Sequence, residues 1–561
     1  MLQAKIKFLK FLYIFFFGLL CLRLGYWQVV KGEELAAKAK NQYKSSNILI
    51  APRGNILASD GSTLVSRKDT WIPYVNSQKF EGNINEVSYK LAQILEIDQS
   101  KIEEILNKKE SVWTALGRGV SYEIKKNIEN MGVEALGFEK SESRGYPEAS
   151  VAAQLLGFLG KDENGSNIGY FGLEGYYDLA LSGKPGFVGE EVNAAGAPIF
   201  LDKSQEIGMV PGVDLVTSID KRVQLLINQK LIEGIEKYGA KAGSVIVMDP
   251  QTGKILGMES YPSYDPRDYW KYGDLFFKNP VISDAFEPGS IFKVLVMAAG
   301  LDANTIKPDT ICDICSGPFK IDKYTIETWN RQYRKDSTMV DVIVNSDNVG
   351  MVFVAQKLGA NKLYDYLKKF GIGNQTGIDL QGEVAPTLRK KSEWSDVDLA
   401  TASFGQGVAV TPIQMIRAVG AIANNGILTT PKVVETVKGD GWENKKGESN
   451  GERVLSEKAA KEVTAMMVEA ASQGESKWTS LKGFRVAGKT GTAQIPIAGH
   501  YDAEKTNASF IGFAPYNDPK FIMLVILSEP QSSQWASETA APLWYSIAKD
   551  LFPYFGIIPE N

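Results

Sequence analysis

Three short groups of residues, in a fixed order along the chain, carry the chemistry this sequence could perform. The first is Ser290-Ile291-Phe292-Lys293, preceded by Glu287-Pro288-Gly289 and followed by an apolar helical run to Ala299. Ser290 sits at the helix start, and Lys293, three residues on, shares its face. That is the arrangement a serine nucleophile with a lysine base requires. A free lysine, with a pKa near ~10.4, is charged and useless as a base, but burial and a second cation depress it towards about 7–8. The helix N-terminus favours the anion that develops on the serine. Alone, the pair reads more simply as a capping serine and a surface lysine. The second and third groups, Ser346-Asp347-Asn348 and Lys489-Thr490-Gly491-Thr492, change that. Lys489 supplies the like charge that lowers Lys293, Ser346 a proton relay, and Asn348 a hold on a substrate amide. Thr490 and Thr492 are candidate carboxylate binders, with Gly491 between them in the same substrate-binding strand. Backbone N–H groups of Ser290 and Thr492 would form an oxyanion hole, each donor worth about 10²–10³ in rate. Asp347 is assigned a structural part.

Composition removes the alternatives. The chain has 561 residues, 62 Lys and Arg against 66 Asp and Glu, one histidine and three cysteines. A net charge of −4 makes no electrostatic case for nucleic acid. With His500 the single histidine, no histidine-rich metal site can be built, and a base other than histidine is expected. Three cysteines exclude a disulfide scaffold and most zinc clusters. No metal or organic cofactor is expected. Gly483 to Thr490 matches the phosphate-loop pattern letter for letter, yet Phe484 to Ala487 read as strand, and Gly491 to Pro496 continue as strand where a phosphate cradle needs a helix. Nucleotide binding is therefore set aside. Asp162-Glu163-Asn164-Gly165 fails calcium-loop spacing, with Leu173 at its twelfth position.

The elements that must position these groups form an α+β pattern. An amphipathic helix is expected over Asp220 to Tyr238, then a strand pair, Gly243 to Asp249 and Lys254 to Ser260, around a Pro250-Gln251-Thr252-Gly253 turn. Helices are expected across Thr411 to Ala423 and Glu457 to Ala471. Strands follow at Phe484 to Ala487, Ser509 to Ala514 and Phe521 to Ser528, and a final helix from Ala540. Helices flanking a mainly antiparallel sheet are the natural arrangement. Gly439 to Glu452 reads as an exposed loop, and glycine-rich Leu155 to Gly175 as an irregular, loop-rich region. From Lys31 to Val210 the pattern is mixed, with short strands and turns.

At the N-terminus, Phe11 to Leu22 is apolar between Lys10 and Arg23. That run covers only about 18 Å, but with both cations snorkelling, Phe8 to Val30 reaches about 35 Å and spans a hydrocarbon core of about 30 Å. No small-residue cleavage site follows, so an uncleaved anchor is preferred to a signal peptide. Lys5, Lys7 and Lys10 precede the run; Arg23, Lys31, Lys38, Lys40 and Lys44 follow it. The charge count therefore does not orient it.

The ordered trio resembles the signature of the penicillin-interacting serine enzymes, and nearly the whole chain is similar to the class B penicillin-binding proteins. Carrying the resemblance are Arg53-Gly54-Asn55-Ile56 with Asp60-Gly61, Gly172-Leu173-Glu174-Gly175-Tyr176-Tyr177-Asp178, Val247-Met248-Asp249-Pro250, Phe404-Gly405-Gln406-Gly407 with Thr411-Pro412, and Ser509 to Pro515. The resemblance implies a D,D-transpeptidase that cross-links D-Ala-D-Ala stem peptides through a serine acyl-enzyme and is acylated by β-lactams. It also implies residues 1–30 as cytoplasmic tail and transmembrane anchor, 31–215 as an elongated pedestal, 216–240 as a linker helix and 241–561 as the transpeptidase domain. The anchor would be single-pass in the cytoplasmic membrane, N-terminus inside and catalytic domain outside. A polytopic glycosyltransferase and other wall-synthesis and division proteins are the partners implied. Arg144-Gly145-Tyr146-Pro147 and Gly157-Phe158-Leu159-Gly160 favour the division-type, septal branch. Two features depart from the family: Asp347, where many division enzymes have serine, and Gly474-Glu475-Ser476-Lys477-Trp478, where a small-residue run is expected. Cys312 and Cys315, outside the cytoplasm on this reading, form a disulfide or stay as free thiols. The sequons at Asn164, Asn374 and Asn507 are chance matches. A β-lactamase or β-lactam sensor would share the trio without needing a pedestal; a weakly catalytic scaffold could lose the trio without harm.

Overall fold

The computed structural model describes residues 2–35, 44–109, 111–163, 165–191, 205–447, 451–497 and 500–560, and the chain forms two compact units. The first comprises Met1–Arg53 and Ser182–Gly212. In it Leu2–Gly25 is α-helical and Tyr26–Val30 continues as a π-helical turn, with no buried residue in either. Together Leu2–Val30 spans 29 residues at a mean hydropathy of 1.8, long and apolar enough to cross a membrane. The same unit holds a three-stranded antiparallel sheet, in the order Lys44–Leu49, Gly186–Glu191 and Gln205–Ile207.

The second unit, Gly54–Leu181 with Val213–Asn561, is α+β. Its main sheet has five antiparallel strands in the order Ile255–Tyr261, Ala242–Met248, Phe521–Ser528, His500–Ala514 and Ala487–Ile497. The central strands are nearly continuous apolar runs, as burial on both faces demands. Alternate residues separate the faces. Val245, Val247, Phe521, Met523, Val525 and Leu527 pack with helices Lys221–Tyr238 and Ala540–Tyr554. The intervening Ile246, Met248, Ile522, Leu524 and Ile526 pack into a layer containing helices Lys293–Asp302, Asn348–Leu358, Pro412–Ala423 and Glu457–Gln473. Lys221–Tyr238, expected as part of a linker, is thus a layer of this core, capped by Asp220 on the backbone N–H groups of Arg222 and Val223.

A second, mixed sheet runs in the order Trp442–Lys445, Val434–Gly439, Asp214–Thr217, Ile56–Leu57, Thr63–Val75 and Thr114–Ala115, with Leu136–Gly145 also paired to Thr63–Val75. Asp214–Thr217, at the expected boundary between pedestal and linker, therefore joins strands from both sides of it. Asp379, largely buried, fastens the same region by accepting from the backbone N–H groups of Val433 and Val434 and from the Tyr177 hydroxyl.

Three expectations need correction. Phe484 to Val486 are not strand, which begins at Ala487: the Phe484 ring packs against Phe552 with centroids 4.6 Å apart and Val486 is buried beside the C-terminal helix, so their apolar character serves helix packing. Gly439 to Glu452 is not simply loop. Its Trp442–Lys445 stretch, exposed throughout, pairs with Val434–Gly439 at the sheet edge. The glycines of Leu155 to Gly175 serve close packing: Phe158–Lys161 pairs with Asn167–Tyr170, and Gly157, at φ +78°, lies where a Cβ would stand 2.2 Å from the Phe171 carbonyl oxygen.

Trp544 is fully buried, and its indole N–H donates to the Met523 carbonyl at 2.9 Å. Trp544→Ala is expected to destabilise this core by about 3–5 kcal/mol, seen as earlier loss of near-ultraviolet circular dichroism in urea; an unchanged midpoint would contradict the packing described.

Candidate active site

Ser290 lies in a single 3-10 turn, Gly289–Phe292, that runs directly into the α-helix Lys293–Asp302. That helix is buried from Lys293 to Leu301, which is why its sequence is apolar all round and why its one lysine is taken out of water. Opposite it, helix Met339–Val344 begins with a reciprocal Thr338–Asp341 capping box. The chain then turns through Ser346 at φ 55°, a left-handed conformation that non-glycine residues enter only when the surroundings dictate it. Asp347 caps the next helix, accepting from the backbone N–H groups of Val349 and Gly350. Lys489 comes from the edge strand Ala487–Ile497. A Cβ on Gly491 would stand 2.9 Å from Ile291 Cγ2 and 3.1 Å from the Pro288 carbonyl oxygen. Glycine there lets this strand press against the nucleophile turn.

These elements bring Lys293, Ser346, Asn348 and Lys489 into one buried hydrogen-bonded cluster. Lys293 Nζ donates to the Ser346 carbonyl at 2.6 Å, to Asn348 Oδ1 at 2.7 Å and to Ser346 Oγ at 3.3 Å. Lys489 Nζ donates to the same Ser346 Oγ at 2.9 Å and to the Thr490 carbonyl at 3.1 Å. Asn348 is held in turn by donation from its Nδ2 to the Glu327 carbonyl at 2.9 Å. Among the described residues the Ser290 hydroxyl makes no hydrogen bond and stands at the pocket wall. Burial first, and then the Lys489 charge, lower the Lys293 ammonium to about 7, against the opposing pull of Glu475 and Asp347. Burial also lowers Lys489, again opposed by Glu475. An amine poised near neutrality is what general-base chemistry at pH 7 needs.

The pocket in front of the cluster, about 80 Å³, is bordered by Ser290, Ser346, Asn348, Thr490 and Thr492. Five further side chains complete it: Trp329, Phe404, Gln406, Glu475 and Trp535. Glu475 lies in the departing segment, which gave a signal without a role; Phe404 and Gln406 lie in a quoted family element. Nothing marked the two tryptophans, which meet with ring centroids 5.4 Å apart. The Thr490 hydroxyl, a candidate carboxylate binder, donates to Glu475 at 3.0 Å, and the Thr492 hydroxyl accepts from the Ala536 backbone N–H at 3.0 Å. The phosphate-loop match has no phosphate-loop geometry, because Lys489 and Thr490 sit within a strand. His500 pairs with Ile497 at the hairpin end. Cys312 and Cys315 are disulfide-bonded and buried, away from the pocket lining.

Known proteins share the sequence and fold of this chain. Residues 243–551 match the penicillin-binding protein transpeptidase domain and residues 48–217 the penicillin-binding protein dimerisation domain. The chain is 33% identical to stage V sporulation protein D of Bacillus subtilis, over 98% of this chain and 86% of that one. It is 28% identical to the probable peptidoglycan D,D-transpeptidase PenA of Neisseria meningitidis, covering 100% of this chain and 94% of the other. Among solved structures it resembles penicillin-binding protein 3 of Mycobacterium tuberculosis complexed with aztreonam, at a TM-score of 0.71 and 25% identity, covering 92% of this chain and 98% of that one. The chain belongs to the penicillin-binding protein transpeptidase family.

Proposed function

We propose that this protein is a peptidoglycan D,D-transpeptidase in which Ser290 is the nucleophile and Lys293 its base. The observation that carries the reading is the single Ser346 hydroxyl shared by Lys293 and Lys489 beside Ser290. Neutral Lys293 takes the Ser290 proton as Oγ attacks the carbonyl of the penultimate D-alanine. The negative charge on that oxygen is met by the backbone N–H groups of Ser290 and Thr492. Collapse breaks the peptide bond, and the leaving D-alanine amine takes back a proton through Lys293 and Ser346. An acceptor amine from a second stem then attacks the ester, gives up its proton by the same route and frees Ser290 as the cross-link forms. Asn348 holds the donor amide, and the substrate carboxylate meets Thr490 and Thr492. Because Thr490 donates to Glu475, a carboxylate at Thr490 must displace that contact.

Leu2–Val30 anchors the protein with its N-terminus inside and the catalytic domain outside. Residues 31–215 serve as pedestal, and a polytopic glycosyltransferase that supplies glycan strands is the partner that chemistry calls for. The septal assignment rests on Arg144-Gly145-Tyr146-Pro147 and Gly157-Phe158-Leu159-Gly160. Depletion is expected to give filaments; rounded cells would assign the enzyme to elongation, and a defect confined to spores would match the name of the Bacillus relative.

A fluorescent penicillin should label the wild type and not Ser290→Ala, with label retained for many minutes. Fast release would make the protein a β-lactamase, and no labelling of folded protein would leave a scaffold. The acylation rate is expected to rise with pH through about 7, since only neutral Lys293 accepts a proton. Lys489→Ala removes the charge that lowers Lys293 and should move this rise to higher pH; Glu475→Gln removes an opposing charge and should move it lower. Shifts of the same sign in both variants would contradict the assignment.

A further inference from the structure

A cleft much larger than the one at Ser290 lies elsewhere in the second unit. It encloses about 770 Å³ between the Thr63–Val75 and Leu136–Gly145 strands, the Gly117–Ser121 segment and the Pro266–Trp270 turn. One wall is a hydroxyl-rich sheet face. Ser66, Lys68 and Thr70 alternate along one strand, paired with Gly145, Ser143 and Ser141 on the next. Lys68, Arg118, Arg144, Lys161 and Arg267 line the cleft, against Glu142 as the acid among its lining residues. Arg267 is held by Asp265, and Glu142 faces Arg67 at 3.8 Å. Lys68, Arg118 and Lys161 have no ion-pair partner within 4.0 Å among the described residues. Arg118 stands over Trp270, its Cζ 3.3 Å from the ring centroid, and a guanidinium so placed can still offer its N–H edge to an oxyanion. Arg144, with a side chain 2% exposed, gives its Nε to Glu174 and has no hydrogen-bond partner at either terminal nitrogen among the described residues. Two stretches that favoured the septal branch, Arg144 to Pro147 and Leu159-Gly160, border this cleft, and the transpeptidation chemistry uses neither.

Uncompensated cations over a floor of serine and threonine hydroxyls suit a polyhydroxylated ligand that carries negative charge. An acidic protein segment would satisfy the cations but not the hydroxyls. We propose that this cleft is a second ligand site that binds a glycopeptide unit of the peptidoglycan, sugar hydroxyls on the serine and threonine wall and stem-peptide carboxylates on the cations, separate from the Ser290 pocket. It would hold a strand of the polymer while its stem peptides are cross-linked. The proposal rests on the wall-building function proposed above.

The test uses the full chain in detergent, first acylated with penicillin so that the Ser290 pocket is occupied. Complete acylation checks the transpeptidase reading by itself. Isothermal titration of the acylated protein with a disaccharide-pentapeptide should show saturable binding that weakens with added salt. Lys68→Ala/Lys161→Ala, at two exposed positions, should weaken it at least about tenfold while leaving penicillin labelling unchanged. No saturable binding, or equal binding by the double variant, would overturn the proposal. So would preference for inorganic pyrophosphate, which would indicate a lipid-diphosphate head group, or for an oligoglutamate peptide, which would indicate a protein partner.

Discussion

Two lysine ammonium groups share one serine hydroxyl inside this protein, and the rest of the catalytic unit is arranged around that placement. Removing a cation from water is costly, and removing two side by side is worse. The structure offsets this with fixed acceptors: the Ser346 and Thr490 carbonyls, Asn348 Oδ1 and the Ser346 hydroxyl. Asp347 and Glu475 add negative charge at longer range. What remains uncompensated appears as an easier loss of the Lys293 proton. The same burial that strains the pair brings one member close to neutrality.

That requirement explains features with no direct part in the chemistry. The helix that follows Ser290 must be apolar on every face, so it is enclosed by the main sheet and by helices Asn348–Leu358, Pro412–Ala423 and Glu457–Gln473. The turn holding Ser346 must present both its carbonyl and its hydroxyl to Lys293, and it does so in a left-handed conformation braced by helix caps on either side. The strand carrying Lys489 must come within van der Waals distance of the Ser290 turn, which excludes any side chain at position 491. That strand is also an edge of the sheet, the position at which an extended peptide can add as a further strand.

Much of this was legible in the sequence because the chemistry sits in contiguous turns. Ser290 with Lys293, Ser346 with Asn348, and Lys489 to Thr492 each lie within four residues, and the local pattern placed the first on a helix start and the last on a strand. The nearly continuous apolar runs of the central strands were readable in the same way. Glu475, Trp329 and Trp535 were not, because loops distant in sequence carry them to the pocket and no local period encodes that approach. Phe484 and Val486 misled in the opposite sense: two apolar residues in a short run look like strand whether their partner is a neighbouring strand or, as here, a helix. Glycines at Leu155 to Gly175 suggested looseness where they permit backbones to touch.

The central claim is that burial and Lys489 together hold Lys293 near neutrality before any substrate arrives. Carbon-13 NMR of lysines labelled at Cε, with the Lys293 signal assigned from Lys293→Arg, measures this directly in the free enzyme. The account predicts a titration midpoint near 7 for Lys293, moving upward in Lys489→Ala. A midpoint near the ordinary lysine value of about 10.4, or one indifferent to the loss of Lys489, would contradict it.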